Sequence, residues 1–258
     1  MAFLRDVQGL FERTYGREAG VDLEACVVGP RRCAELASRS QAEHAEMSDW
    51  ARFFYYVEDE NLRLALFYAN DMIETLEARD PRRELTESNV LPLLVFTEEA
   101  SHALHTTFAF GEGGPARVAG EEFLAELELM ARIDAYLLLR HFVRELAERF
   151  GPPERAWVRL QALTRWDVPY SDPDLAARYR GAARMAGAFV DRLEAAPVRR
   201  RLDELRTFRA LPMSEKRARV EDRAGPYVEL SRSERRGRRR EGGRRGRRPA
   251  RAGPTRSE

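Results

Sequence analysis

The sequence is poor in the residues that staple or anchor a chain. Its 258 residues include two cysteines, Cys26 and Cys33, too few for a disulfide scaffold. They do not form a Cys-x-x-C and have no second pair beside them, which excludes a zinc ribbon. No window reaches about 18 apolar residues, so no membrane-spanning helix is expected. The opening MAFLRDVQGLFERTYG carries Asp6 and Glu12 and lacks a small-residue cleavage site, so no signal peptide is read there. These absences together predict a cytoplasmic protein with reduced thiols. No internal repeat is present. Lysine is nearly missing too: Lys216 stands alone against 43 arginines.

What is there suffices for one sizeable core. Hydrophobic residues make up 43% and charged residues 34%, a balance that excludes a wholly disordered chain. The net charge of +1 conceals a split, because residues 231–258 hold twelve Arg against three Glu and leave the remainder at −8. That segment, SRSERRGRRREGGRRGRRPARAGPTRSE, has no aromatic and almost no aliphatic side chain. It cannot bury enough surface to offset its ordering entropy, so a disordered tail is expected over 226–258. Arg238, Arg239, Arg240, Arg244, Arg245, Arg247 and Arg248 form its densest run and would attract nucleic-acid phosphates through counterion release. Such binding would be non-specific, since no aromatic follows Tyr227 to stack on a base. The same run also fits a solubilising tail that folds back on the acidic body.

Hydrophobic periodicity places an amphipathic helix over Phe3–Phe11, ending before Gly16. ARFFYYV (51–57) and LRLALFY (62–68), separated by Glu58-Asp59-Glu60-Asn61, read as a β-hairpin with a four-residue polar turn. Everything after it reads helical: a short helix from Asn70, one over Asn89–Phe108 capped by Ser88, a Gly111–Gly114 loop, and a long helix from about 118 to 150. Helices over 153–164, 173–194 and 198–210 follow, with Gly181, Ala182, Ala183, Ala186, Gly187 and Ala188 read as permitting a close helix crossing. The predicted fold is α+β and predominantly helical, a small antiparallel hairpin packed on a helical bundle. The domain covers about 1–225, with its core at about 51–150 and the C-terminal helices at 153–225.

Three of the four histidines fall on the two best-marked helices. On a helical wheel of about 100° per residue, Glu98, His102 and His105 occupy a sector of roughly 60° that Leu91, Leu94 and Val95 share. Polar groups thus sit on the stripe that should face the core, where an unpaired carboxylate is costly. Glu98 and His102 are four residues apart, a spacing that lets one helix grip a single ion; it equally suits a buried hydrogen-bonded pair. On the long helix Asp134 and His141, seven apart, repeat the anomaly, and His105, Asp134 and His141 are read as supporting groups or alternative ligands.

The run Phe96-Thr97-Glu98-Glu99-Ala100-Ser101-His102 resembles the HExxH helix of zinc metallopeptidases, with Glu98 in place of the first His. The gluzincin branch carries a third ligand, Glu, about twenty residues after the second His; here Glu121 and Glu122 stand at 19 and 20. The resemblance covers roughly 51–130 and extends to uncharacterised bacterial proteins with an aromatic hairpin and an EExxH helix. It implies Glu98, His102 and Glu121 or Glu122 as metal ligands, Glu99 as general base, and hydrolysis of a peptide or small molecule. Two Glu and one His neutralise a dication, which makes it a poorer Lewis acid and favours Mn²⁺ or Fe²⁺ beside Zn²⁺. A degenerate, inactive site is consistent with this departure. A ferritin-like di-iron bundle is disfavoured, because no second Glu-x-x-His exists. The alternative class is a non-enzymatic interaction module whose tail binds nucleic acid or an acidic partner.

Overall fold

In the first helix of the computed structural model, α1 (Ala2–Tyr15), Leu4, Val7, Phe11 and Tyr15 recur every three or four residues and are buried. Gly16, at φ 65°, closes it: the Gly16 and Arg17 amides donate back to Arg13 and Glu12, a turn that needs the left-handed region. The structure describes residues 2–39, 49–164 and 173–221. The chain divides into two units at residue 221, and the architecture below is that of the first. The predicted disordered tail, with its twelve arginines, lies outside the described residues, as does His44.

A single turn (Leu23–Cys26) and α2 (Pro30–Arg39) lead to the hairpin of β1 (Ala51–Glu58) and β2 (Asn61–Tyr68). The strands pair antiparallel from Ala51↔Tyr68 to Glu58↔Asn61. The turn is therefore tighter than the four residues expected. Glu58 and Asn61 belong to the ladder, leaving Asp59 and Glu60 at φ 47° and 61°. Both residues left-handed is the pattern of a type I′ loop, whose twist matches that of the strands, and Asn61 Nδ2 braces it by donating to Asp59 O at 2.8 Å.

Next come α3 (Asn70–Ala78), α4 (Glu87–Arg117), α5 (Glu121–Leu146), α6 (Pro152–Arg159), a wide turn (Leu160–Thr164), α7 (Pro173–Ala195), α8 (Arg201–Ala210) and α9 (Met213–Glu221). The fold is α+β and predominantly helical, with the hairpin as the sheet found among the described residues. α4 starts earlier than Ser88 suggested. Thr86 is its cap, and Asn89 Oδ1 accepts from Thr86 N at 2.8 Å while Asn89 Nδ2 holds the carbonyls of Arg79 and Glu84. The helix continues through the expected glycine loop until Gly114, at φ 62° and ψ −156°, breaks it. Of the small-residue run on α7, Ala182 and Ala186 are buried and pack, whereas Gly181 and Gly187 have open space where a Cβ would point.

The core is built around α4. From Asn89 to Thr106 every residue except Leu91 is buried, because α1, α3, the hairpin and α5 enclose the helix. Side chains such as Phe96, Leu104 and Ile133 on α5, at 0–1% exposure, each contribute about 1.5–3 kcal/mol. Those contributions offset the cost of carrying polar groups on the same helix.

Candidate metal centre

Because α4 is enclosed all round, its polar residues are forced inward. Two pairs at i, i+4 stand three residues out of step: Glu98 with His102, and Ser101 with His105. Each pair meets one acid of α5. Glu98 and His102 converge on Glu128, and one donor atom from each lies within 4.8 Å of the other two. Ser101 and His105 converge on Asp134.

The first group is left open. His102 Nδ1 approaches Glu99 Oε2 at 3.4 Å; a carboxylate accepts, so Nδ1 carries the proton. Nε2 then points at Glu128 Oε2, 3.9 Å away. Both atoms are buried and make no hydrogen bond. In the metal-free protein a proton on Nε2 can face the carboxylate oxygen across this gap; once that proton leaves, a lone pair faces the oxygen and a cation can sit between them. Ligand bonds of about 2.1 Å meeting tetrahedrally separate two donor atoms by about 3.4 Å, so the observed gap accommodates an ion after a small side-chain rotation. The Glu98, His102 and Glu128 group could hold a metal ion.

The electrostatics are those of a crowded acidic site. Burial, then the neighbouring Glu128 carboxylate, pushes Glu98 up to about 8. Burial alone would lower His102, but its bond to Glu99 and the charges of Glu128, Glu99 and Glu98 outweigh it and raise it to about 9. Without a metal, both groups thus hold protons at neutral pH. The Phe53 ring of β1 lies 6.3 Å from the His102 ring and stacks on Tyr55, so the hairpin roofs this end of α4.

The second group is closed. Asp134 accepts from Ser101 Oγ at 2.6 Å and from Tyr15 Oη, and lies 2.9 Å from His105 Nε2. The Tyr15 and His105 rings meet edge-on at 5.0 Å. Burial, then Asp134, holds the Tyr15 hydroxyl well above its ordinary pKa. Asp134 and Ser101 are wholly buried, and the network pins α1 onto α4 and α5. A third acid, Glu126, is matched by Arg117 at 2.7 Å and by Lys216 at 2.7 Å.

Several expected site residues stand elsewhere. Glu121 and Glu122 are exposed at the first turn of α5, and Glu121 pairs with Arg178 of α7. Glu128 lies seven residues on, on the same helix face but about 10 Å deeper, and replaces them as the third carboxylate beside Glu98 and His102. Its sequence signal was its setting, an acid inside the apolar run Leu127–Met130. His141 is exposed: the α5 face that is buried at Asp134 and Leu138 meets solvent by residue 141, so Asp134 partners His105 instead. Glu98 and His102 are not bonded to each other; His102 bonds Glu99. No helix among the described residues is long and apolar enough to cross a membrane. No protein-family model, curated protein or solved structure matches the chain.

Proposed function

We propose that the protein binds one divalent metal ion through Glu98, His102 and Glu128 and supports zincin-like hydrolytic chemistry there. The observation that carries this reading is the buried cluster itself: one donor atom each from Glu98, His102 and Glu128 within 4.8 Å of the others, with His102 Nε2 and Glu128 Oε2 facing each other at 3.9 Å and making no hydrogen bond. Three protein donors leave a coordination position for water, and lowering the pKa of that water is the chemistry such an ion supplies. Two carboxylates and one imidazole favour Mn²⁺ or Fe²⁺ over the softer preference of zinc. The free thiols of Cys26 and Cys33 fit a reducing, cytoplasmic setting.

Elemental analysis of untagged protein purified without chelator tests the reading. About one ion per chain is expected, lost in His102→Ala and Glu128→Ala and kept in Glu121→Ala. A wild-type chain that carries no ion and takes none up from added Mn²⁺, Fe²⁺ or Zn²⁺ sinks it. The charge of residues 231–258 favours a second, separable reading, a polyanion partner held electrostatically. It requires nucleic-acid retention that disappears with rising salt and on deletion of 231–258.

A further inference from the structure

We infer that Glu99 is a positioning residue, one that fixes the His102 ring so that Nε2 faces Glu98 and Glu128, and not the base that takes a proton from water. This inference rests on the metal reading above and refines it. The EExxH resemblance gives Glu99 the base's role, but the geometry points the other way. Glu99 Oε2 contacts Nδ1, at 3.4 Å, on the opposite edge of the imidazole from the nitrogen that faces Glu128. A general base must come within about 2.6–3.2 Å of the proton it removes. A carboxylate spent on Nδ1 is separated from the donor cluster by the width of the ring.

The contact does two things. It keeps the proton on Nδ1, so that the proton a metal displaces is the one on Nε2 and the Nε2 lone pair becomes the donor, and it fixes the ring plane one helical turn from Glu98. Any hydrolysis at this centre therefore proceeds without the proton acceptor that an HExxH helix carries.

Binding of Mn²⁺ and Zn²⁺ by the full chain, measured against a competing chelator in wild type, Glu99→Gln and Glu99→Leu, separates the two roles. For a positioning residue, Glu99→Leu weakens binding 10- to 100-fold, whereas Glu99→Gln, whose amide oxygen still accepts from Nδ1–H, loses only a few-fold. For a base, both variants bind like wild type. Affinity in Glu99→Leu within two-fold of wild type overturns the inference. A long-range ¹H–¹⁵N spectrum of the chelator-treated chain at about pH 10, where the ring is neutral, gives an answer independent of metal uptake, so failure of the metal reading is told apart from failure of this one. A protected proton on His102 Nδ1, present in wild type and Glu99→Gln and lost in Glu99→Leu, supports the role. The same proton persisting in Glu99→Leu refutes it.

Discussion

Two side-chain pairs of α4 occupy the same helix, face the same neighbour and are both largely buried, yet one is complete and the other is not. Ser101 and His105 find Asp134, and with Tyr15 every one of these side chains is engaged. Glu98 and His102 find Glu128, and two atoms are left facing each other without a partner. The difference separates structure from function. A buried polar group that is satisfied holds the fold together, whereas a buried pair of orphans costs stability and persists only if something else completes it. The lone lysine makes the same point: its ammonium donates to Glu126, to Arg209 O and to Leu211 O, three protons for three acceptors, at a site that a guanidinium would overfill.

The sharpest way to break this contrast is to remove one member from each group. His102→Ala or Glu128→Ala should abolish stoichiometric metal binding while the metal-free fold, read by circular dichroism, is kept. Asp134→Ala should do the reverse. It orphans the hydroxyls of Tyr15 and Ser101 and the ring of His105, at a cost of about 3–5 kcal/mol in denaturant unfolding, with metal stoichiometry unchanged. If Asp134→Ala also removes the ion, the two groups form one site and the contrast fails.

The lysine tests the same idea at smaller scale. Lys216→Arg keeps the charge but not the shape, and should lower stability by about 2–3 kcal/mol in spite of the chain's bias toward arginine.

A pH series sharpens the contrast further. Glu98, raised to about 8, and His102, raised to about 9, keep protons in the folded state that the unfolded chain releases near its ordinary values. A raised folded pKa lends stability below the unfolded value and loses it as pH climbs to the folded one, so metal-free protein should lose stability from about pH 4.5 to 8 through Glu98 and from about pH 6.5 to 9 through His102. Metal binding must expel both protons, so affinity should rise over the same interval. The gap between melting temperatures with Mn²⁺ and with chelator should therefore widen from pH 5.5 to 8. A gap independent of pH contradicts the assignment of these two ligands. The smallest effect is a null: Glu121→Ala and His141→Ala, at exposed positions, should change neither metal content nor stability by more than about 0.5 kcal/mol.

Much of the centre was legible in the linear chain, and the misses have causes. Glu98 and His102 stood out because an acid and an imidazole one turn apart interrupt an apolar stripe. Glu121 misled because counting residues cannot tell one turn of a helix face from the turn two further along it. The hairpin was legible from its aromatics, but its turn was not, since Asp59-Glu60 lacks the Asn-Gly or Asp-Gly that announces a left-handed pair. α9 (Met213–Glu221) was missed because its helix is polar nearly all round, with Met213, Lys216 and Val220 as its buried residues.

The order of residues alone determined the helical class, the aromatic hairpin, the acidic body and the basic end, because these follow from composition and from periods of two and 3.6 that need no partner to be read. Only the folded chain decided which acid completes which pair. Glu128 and Asp134 sit on one helix within two turns of each other, and their fates differ through the depth at which α5 crosses α4 and through the arrival of Tyr15 from more than a hundred residues away. Such a choice depends on distances between elements, which no local pattern encodes.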